Sequence, residues 1–370
     1  MRILQLGKFY PVRGGVEKVM YDLTTGISSL GVRCDMMCAA SEGPTRVERI
    51  NDNADLILCH TLKKAAATML APAMIGELRR RCGDYDIIHV HHPDPMAALA
   101  LRLSGYKGRV VLHWHSDILK QKTLLTFYKP LQNWLIDRAE IIIGTTGHYL
   151  RNSSWLVGRE EKFRELFIGV DPVSIDAGRV AAVREIYKGK KIIFSLGRLV
   201  SYKGFENLIL AAGYLPDSYV IVIGGAGPLQ GELESLISGQ GLTGKVVLLG
   251  YVPDDVVNDY YGAADIFCLS SIRKTEAFGI VQVEAMSCGL PVIATNIPGS
   301  GVPVVNENGV SGLNVTPESP KEIADAVLEI EKDWKTYSEG ARARYLRCFT
   351  RERMISECLE IYGTFEDVRK

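Results

Sequence analysis

The sequence lacks the features that mark several large classes of protein. No run approaches 18 consecutive apolar residues, so no segment is predicted to span a bilayer. The 43 basic side chains are balanced by 43 acidic ones, and a net charge of zero gives no support for a nucleic-acid-binding protein. Low-complexity tracts, fixed-period repeats and coiled-coil heptads are also missing. What remains is 370 residues of ordinary globular composition, enough for two domains or three.

The cysteines and the N-terminus also lack a diagnostic pattern. None of the eight cysteines forms a CxxC pair, and several lie within apolar, strand-like runs. The opening segment MRILQLGKFYP has neither the length nor the cleavage site of a signal peptide. We therefore expect reduced core cysteines and a cytoplasmic protein.

Charge is distributed unevenly along the chain. Residues 1–185 hold 25 basic and 20 acidic side chains, whereas residues 186–370 hold 18 and 23. The basic excess predicts either a solvated face or a first half that meets an anionic surface, such as a membrane leaflet or a phosphate-bearing acceptor. In the second case the protein would be peripheral at the inner face of the cell membrane.

Short β-rich runs alternate with longer amphipathic stretches. The runs predicted as strands are 2–7, 32–39, 86–92, 109–115, 140–146, 191–197, 219–225, 245–250, 265–271 and 291–295. Near-continuous Val, Ile and Leu is typical of strands buried on both faces, hence of parallel sheets. We predict an α/β protein with two doubly wound parallel sheets of about five or six strands, divided near 165–190. Two such lobes form a cleft between the carboxyl ends of their strands, where these folds bind ligands.

Three loops that follow predicted strands carry candidate phosphate-binding residues. Gly14 and Gly15 precede a predicted helix, where the backbone can approach a ligand closely, although a plain turn explains them equally well. Arg198 and Lys203 combine a forked donor with a mobile point charge, which suits a diphosphate; the alternative is a surface pair. Gly225, in GGAGPL, either passes near a ligand or makes a tight turn.

The segment KTEAFGIVQVEAMSCGLPVIAT contains the most specific pattern. Eight residues separate Glu276 from Glu284, a rise of about 12 Å on one helix, too far for the carboxylate pair of a retaining glycosidase. We predict Glu276 in a loop and Glu284 within the following helix, where it could accept hydrogen bonds from two ribose hydroxyls. The first helical turn, whose free amides would face an anion, is predicted to be Phe278, Gly279, Ile280 and Val281.

All seven histidines lie within residues 60–148, and five of them fall in HVHHPD and HWHSD. A zinc hydrolase is therefore a competing interpretation. Against it, no HExxH is present, and neighbouring residues on a strand point to opposite faces. His115 ends its strand and is best placed to bond a polar ligand, with Asp117 and Lys122 in the adjoining loop. The remaining candidates are expected to be packed or structural: His89, His91 and His113.

Taken together, these motifs identify a family. Over nearly its whole length the sequence resembles the retaining GT-B glycosyltransferases of family 4, which transfer sugars from nucleotide diphospho-sugars. The resemblance rests on the early GG loop, the histidine of HWHSD, GRLVSYKG, GGAGPL and the E-x7-E segment. HSDILKQK, IRKTEAFGIVQVEAM and IPGSGVPVVN are most similar to bacterial enzymes of O-antigen and exopolysaccharide assembly, mannosyltransferases among them.

The resemblance implies a GT-B fold and a role for each part of the chain. Residues 1–170 would form a Rossmann-like acceptor domain, 171–348 a Rossmann-like nucleotide-sugar domain, and 349–370 a helix that crosses back to the first. Arg198 and Lys203 would neutralise the diphosphate and stabilise it as it leaves. Glu276 and His115 would contact the donor sugar, completing the catalytic set.

Further contacts are implied by the same resemblance. The donor would be held by Gly14, Gly15, Gly225, Val252, Phe278, Gly279, Ile280, Val281 and Glu284. Asp117 and Lys122 are candidates on the acceptor side. Such enzymes are usually metal-independent, so no metal or other cofactor is expected, and retention needs no protein nucleophile.

The implied function is transfer of a hexose to a glycan or lipid-linked acceptor in bacterial surface-polysaccharide synthesis. GDP-mannose is the leading donor and UDP-hexoses are the next. Other functions remain open: a sugar-nucleotide epimerase or phosphorylase of the same fold, a non-catalytic scaffold of a glycan-assembly complex, and the metallohydrolase. An epimerase would release free sugar, and a phosphorylase would need a pyridoxal lysine site that we do not find.

Overall fold

The computed structural model describes residues 1–12, 14–65, 68–118 and 122–367. The chain divides into two compact units, one formed by residues 1–168 together with those from Arg351 onward, the other by residues 169–350. The sequence placed these boundaries at 170 and 348, two residues away in each case. The first unit is therefore discontinuous, because the chain returns to it at the last helix.

The first unit alternates strands with helices. Its elements are β1 (Arg2–Tyr10), α1 (Gly15–Ser29), β2 (Arg33–Ala40), β3 (Arg46–Asn51), β4 (Ala54–Cys59), β5 (Lys63–Ala65), β6 (Thr68–Leu70), α2 (Ala73–Arg81), β7 (Ile87–His92), α3 (Pro95–Ser104), β8 (Arg109–Trp114), α4 (Lys122–Arg138), β9 (Ile141–Gly144), α5 (Gly147–Arg151) and β10 (Phe163–Glu165).

Eight of these strands form one sheet in the order β10-β9-β8-β7-β1-β2-β4-β3. Every neighbouring pair is parallel except β3 and β4, so the expectation of a wholly parallel sheet is wrong at this edge. Only two residues join β3 to β4, and so short a connection permits an antiparallel hairpin but not a parallel crossover. Strands β5 and β6 form a separate antiparallel pair.

The second unit has the same alternating construction. Its elements are α6 (Ala177–Ile186), β11 (Lys191–Leu196), α7 (Phe205–Ala211), β12 (Tyr219–Gly224), α8 (Gln230–Gly239), β13 (Val246–Gly250), α9 (Asp254–Ala263), β14 (Ile266–Leu269), α10 (Ile280–Ser287), β15 (Val292–Thr295), α11 (Val302–Val305), β16 (Gly312–Val315), α12 (Pro320–Lys332) and α13 (Trp334–Cys348). The six strands are all parallel, in the order β13-β12-β11-β14-β15-β16. This confirms the predicted doubly wound architecture.

Each sheet has one point where the strand order reverses. In the first sheet it lies between β1 and β7, and in the second between β11 and β14. In open α/β sheets the loops that follow the two strands at such a point diverge and leave a crevice for ligands. The loops after β1, β7, β11 and β14 are therefore the places to look for a site.

The last helix, α14 (Arg351–Asp367), belongs to the first unit. It packs on α1, where an Arg351 guanidinium nitrogen donates to Thr25 Oγ1 at 2.7 Å. Ile355 occupies the space beside Gly26, so closely that a Cβ at position 26 would lie 2.0 Å from Ile355 Cδ1. Among the described residues, none of the helices combines the length and apolar character that a membrane span requires.

Candidate functional site

An ion pair lies at the reversal point of the second sheet. Lys203 follows β11 in a 3-10 turn, and Glu276 lies in the loop that follows β14, as predicted. The Lys203 ammonium is 2.5 Å from Glu276 Oε2, and both side chains are largely buried, 10% and 13% exposed. Ser271 Oγ donates to the same carboxylate oxygen at 3.0 Å. The two residues that the sequence singled out separately are thus partners.

Burial and charge act in opposite directions on Lys203. Desolvation by itself lowers the pKa of this ammonium, but the adjacent Glu276 carboxylate more than offsets it, and the pKa is raised above its usual value. Lys203 is therefore a buried cation whose charge is already neutralised. A phosphate that binds it must compete with Glu276, and would release that carboxylate to accept from another donor.

Arg198 differs from Lys203 in exposure. It lies two residues beyond β11 and its side chain is exposed, whereas Lys203 is buried. Within the part of the chain that the structure describes, no carboxylate pairs with Arg198. Its positive charge is thus open to solvent beside a neutralised lysine.

Gly225 has a structural explanation that involves no ligand. The loops after β11 and β12 pack against each other so closely that a Cβ on Gly225 would lie 1.9 Å from the Gly197 carbonyl oxygen. Its φ of +137° is also a conformation that favours glycine. Val252 lies just beyond β13, where its Cγ2 would be 3.3 Å from a Cβ on Gly224. Gly225 and Val252, both predicted to bind the sugar donor, therefore lie at the carboxyl edge of the sheet.

The helix of the E-x7-E segment begins later than predicted. Helix α10 starts at Ile280, with Gly279 as its N-cap in the left-handed region at φ 74°. Ile280 and Val281 form the first turn as expected, but Phe278 and Gly279 precede the helix. The Phe278 ring is buried and meets Phe349 edge-on, with ring centroids 6.0 Å apart.

Glu284 lies inside α10, as the sequence indicated. Its carboxylate is half-buried and accepts a hydrogen bond from the Tyr261 hydroxyl at 2.9 Å. Tyr261 comes from α9 and is 1% exposed. This hydroxyl fixes the carboxylate while a part of it remains accessible.

In the first unit the GG loop opens a helix, as predicted. Gly14 is the N-cap of α1 and Gly15 its first residue. The carboxyl end of β1 is fastened to the start of α3, because the backbone amide of Lys8 donates to Asp94 Oδ2 at 2.5 Å and its ammonium to the Pro93 carbonyl at 2.6 Å. These contacts join the end of β1 to the loop after β7 at the reversal point of the first sheet.

His115 directly follows β8 and is 4% exposed. Its Nε2 lies 2.9 Å from His91 Nδ1, and the ring of His113 stacks on it with centroids 3.9 Å apart. Burial holds the pKa of His115 well below its usual value, and neighbouring His113, His91, Lys8 and His89 add to this effect. The ring is therefore neutral at physiological pH.

The first unit contains a buried histidine cluster. His89, His91 and His113 share one sheet face, and their ring nitrogens lie within 4.8 Å of one another. The sequence argument about alternating faces applies to adjacent residues, but not to His89 and His91, which are two apart. The planes of those two rings differ by only 11°. Because a metal lies close to the plane of each ring that binds it, parallel rings do not aim their lone pairs at one ion. The cluster does not fit a metal site.

The two acceptor-side candidates have different outcomes. The Asp117 carboxylate is buried, where it accepts from Trp114 Nε1 at 2.9 Å and from Ser153 Oγ at 2.7 Å. These contacts stabilise the loop after β8, and they explain why an aspartate stands at this position. Lys122 begins α4, but its side chain lies outside the described residues.

Several site residues were missed by sequence reasoning. Ser271 and Tyr261 hold the two carboxylates, and Gln5 and Tyr362 bond the histidine cluster. Of these four, Gln5 is a single polar residue within an otherwise apolar run, RILQLG. A buried polar residue of this kind requires a partner, which is a signal that could have been used.

A cavity of about 440 Å³ lies at the amino edge of the second sheet, lined by Tyr219, Ile266 and Trp334 among others. Ligands of open α/β sheets bind at the carboxyl edge. We therefore assign the site to the loops around Lys203 and Glu276 instead.

Both halves of the chain match described families. Residues 179–345 match Glycosyl transferases group 1, and residues 13–172 match Glycosyltransferase Family 4. The chain is 29% identical over 373 residues to the O-antigen chain mannosyltransferase C of Escherichia coli, with 98% of each sequence covered. It is 28% identical over 361 residues to the D-rhamnosyltransferase WbpZ of Pseudomonas aeruginosa, covering 95% of this chain and 92% of that relative.

A solved structure shows the same fold. The crystal structure of Anabaena Alr3699/HepE in complex with UDP superposes with a TM-score of 0.80 at 20% identity. The match covers 98% of this chain and 100% of the other.

Proposed function

The chain belongs to the group 1, family 4 glycosyltransferases, and on that premise we propose that it transfers a hexose, with retention, to a glycan or lipid-linked acceptor in bacterial surface-polysaccharide synthesis. The observation that carries the proposal is the buried Lys203–Glu276 pair beside the exposed Arg198, at the reversal point of the second sheet. Two cations at this position match the charge of a nucleotide diphosphate.

In this proposal, Lys203 and Glu276 exchange partners when the nucleotide-sugar donor binds. The diphosphate takes the Lys203 ammonium from Glu276, and the freed carboxylate accepts from a hydroxyl of the donor sugar. Glu284, held by Tyr261, accepts from the ribose hydroxyls. Amides at the start of α10 and in the GG loop bind phosphate or sugar oxygens.

In the proposed reaction the acceptor hydroxyl attacks the anomeric carbon on the face from which the diphosphate departs. The bond from that carbon to the phosphate oxygen breaks, and the departing oxygen takes the hydroxyl proton. Lys203 and Arg198 stabilise the negative charge that develops, and no protein nucleophile or metal is used.

GDP-mannose is the leading donor because the Escherichia coli relative is a mannosyltransferase. An activated D-rhamnose is the second candidate because the Pseudomonas aeruginosa relative is a D-rhamnosyltransferase. A lipid-linked acceptor would be held at a membrane surface. The basic excess of residues 1–185 fits an enzyme that meets such a surface from a cytoplasmic, peripheral location.

A donor screen tests the proposal. A nucleotide sugar present at 100 times its dissociation constant should stabilise the protein by about 2.7 kcal/mol, which a thermal shift detects. The bound donor is then incubated with and without a lipid-linked glycan, and the product's anomeric configuration is determined by NMR. We expect GDP-mannose to bind and sugar to be transferred with the donor's configuration.

Other outcomes identify the alternatives. Free sugar released from donor alone would indicate the epimerase. A thermal shift with UDP-hexoses only would mean that the donor is a UDP-hexose and not GDP-mannose. Binding without turnover under all conditions would support the scaffold and contradict transfer.

A further inference from the structure

A continuous chain of hydrogen bonds runs through the buried face of the first sheet and ends at His115. His115 Nε2 lies 2.9 Å from His91 Nδ1, and His91 Nε2 lies 2.8 Å from Gln5 Oε1. The Gln5 amide nitrogen then donates to the Tyr362 hydroxyl at 3.1 Å. Gln5, His91 and Tyr362 are each 0% exposed, so water does not replace these bonds.

The direction of the chain follows from the two ends of the Gln5 amide. Its nitrogen has two N–H groups and two acceptors, the Tyr362 oxygen and Cys34 Sγ at 3.8 Å. Its oxygen has one neighbour among the described residues, His91 Nε2. Reversing the amide would place two N–H groups beside that single acceptor and leave one of them buried without a partner, which is unfavourable. Gln5 therefore presents its oxygen to His91.

This orientation determines the protons on both histidines. A carbonyl oxygen accepts only, so His91 must carry its proton on Nε2 and a lone pair on Nδ1. That lone pair in turn requires the proton of His115 to be on Nε2. We propose that Gln5, acting through His91, is a positioning residue that keeps His115 in one tautomer, with Nδ1 unprotonated and available as an acceptor.

The tautomer limits what His115 can bind. His115 Nδ1 is buried and has no hydrogen-bond partner among the described residues. A neutral ring with a lone pair at Nδ1 bonds a group that donates, such as a sugar hydroxyl, and not a phosphate oxygen, which only accepts. This consequence rests on the proposed function, since it assumes that the ligand is a nucleotide sugar.

The tautomer itself is measured on the ligand-free, full-length protein. Two-bond ¹H–¹⁵N correlation spectra of ¹⁵N-histidine-labelled protein distinguish protonated from unprotonated ring nitrogens, and the His115→Gln spectrum assigns the His115 signals. We expect Nε2 of His115 to be protonated and Nδ1 to be unprotonated. A proton on Nδ1 would overturn the proposal whether or not any variant folds.

Three variants separate positioning from packing. Gln5→Met removes both amide groups, so the His115 nitrogens should give averaged or doubled signals. Gln5→Glu in its neutral form keeps one acceptor and one donor and should retain the wild-type pattern. Ile3→Val, buried two residues earlier on the same strand, should perturb packing without changing the tautomer. A Gln5→Met spectrum with the wild-type pattern would contradict the role of Gln5.

The ligand class is tested by adding GDP-mannose or GDP alone. We expect the His115 Nδ1 signal to shift with GDP-mannose and to stay in place with GDP. A shift with GDP alone would refute a contact with a hydroxyl of the transferred sugar. If neither compound binds, GDP-mannose is not the donor, while the tautomer result stands on its own.

Discussion

Lys203 and Glu276 illustrate how a charged side chain can be buried inside a protein when it has a partner of opposite charge. An ammonium and a carboxylate at 2.5 Å would be costly to bury singly, but together they satisfy each other. Their side chains come from loops that are about 70 residues apart in sequence, joined only because β11 and β14 are neighbours. The local sequence shows only a lysine at the end of a strand and a glutamate in a loop, and it does not show that the two residues form a pair.

The first residue-scale prediction concerns Lys203→Ala. Turnover should fall on the order of 10²-fold or more, since one preorganised donor contributes about 2.7–4 kcal/mol to transition-state stabilisation. Steady-state kinetics measure this, and circular dichroism checks that the fold is intact. Lys191→Ala is the matched control, because Lys191 pairs with Glu331 at the amino end of β11 and is much more exposed. If Lys203→Ala is as active as Lys191→Ala, then Lys203 is not a catalytic residue.

The second residue-scale prediction concerns Tyr261→Phe. Loss of the hydroxyl removes a hydrogen bond that orients the Glu284 carboxylate, so the dissociation constant for the donor nucleotide should rise about tenfold, the effect of one hydrogen bond to a charged group. Isothermal titration calorimetry with GDP measures it. Tyr260→Phe, at the next position, should leave the affinity unchanged. A Tyr261→Phe affinity equal to wild type would mean that Glu284 does not hold the ribose through this orientation.

At the scale of elements, sequence patterns were most reliable where strands are buried on both faces. All ten runs of Val, Ile and Leu form strands, because continuous apolar residues suit a sheet covered by helices on either side. Six strands were missed: β3, β4, β5, β6, β10 and β16. The sequence of β3, RVERIN, is largely exposed, and that of β16, GLNV, is short and interrupted by asparagine, whereas β4, ADLILC, was missed although it is largely buried. The start of α10 was misplaced by two residues because Gly279, read as helical, adopts a left-handed N-cap conformation.

The element-scale prediction concerns Gly225→Ala. The backbone conformation alone should destabilise the second unit by about 1–3 kcal/mol, and the collision with the Gly197 carbonyl should add to this. Urea unfolding measures the change in free energy. Gly231→Ala in α8 is the control: its Cβ would meet nothing within 4 Å, and alanine in a helix should be neutral or stabilising by up to about 1 kcal/mol. A tolerated Gly225→Ala would show that the two loops move apart freely.

At the scale of the whole molecule, the two units differ in the side chains that they bury. The first unit contains all seven histidines, and the second contains none. The sequence predicted two lobes and located the histidines in one of them. It could not predict that four of the rings would collect on one face of the first sheet, because that depends on the register that places His91 beside His113.

The burial of these histidines predicts that acid destabilises the first unit selectively. Desolvation lowers the pKa of five of them, to about 3 for His92 and His113. The unfolded chain binds protons at pH values near 6.5, whereas the folded unit does not, so stability is present above pH 6.5 and lost as the pH falls toward the folded values. Each histidine contributes up to about 1.4 kcal/mol per pH unit. Hydrogen exchange at pH 7.5 and 5.5, with labelling times scaled for the pH dependence of chemical exchange, should show protection lost from β1, β7 and β8 and retained in β11, β12 and β14.

A matched pair of variants isolates the cause. His113→Leu removes a ring whose two nitrogens have no partner among the described residues, so it should preserve the fold and make the loss of stability with falling pH less steep. His60→Asn, at an exposed histidine of the same unit, should leave the slope unchanged. Loss of protection from both units together, or a free energy of unfolding that is the same at pH 7.5 and 5.5, would contradict selective destabilisation, because only the first unit has neutral buried imidazoles to protonate.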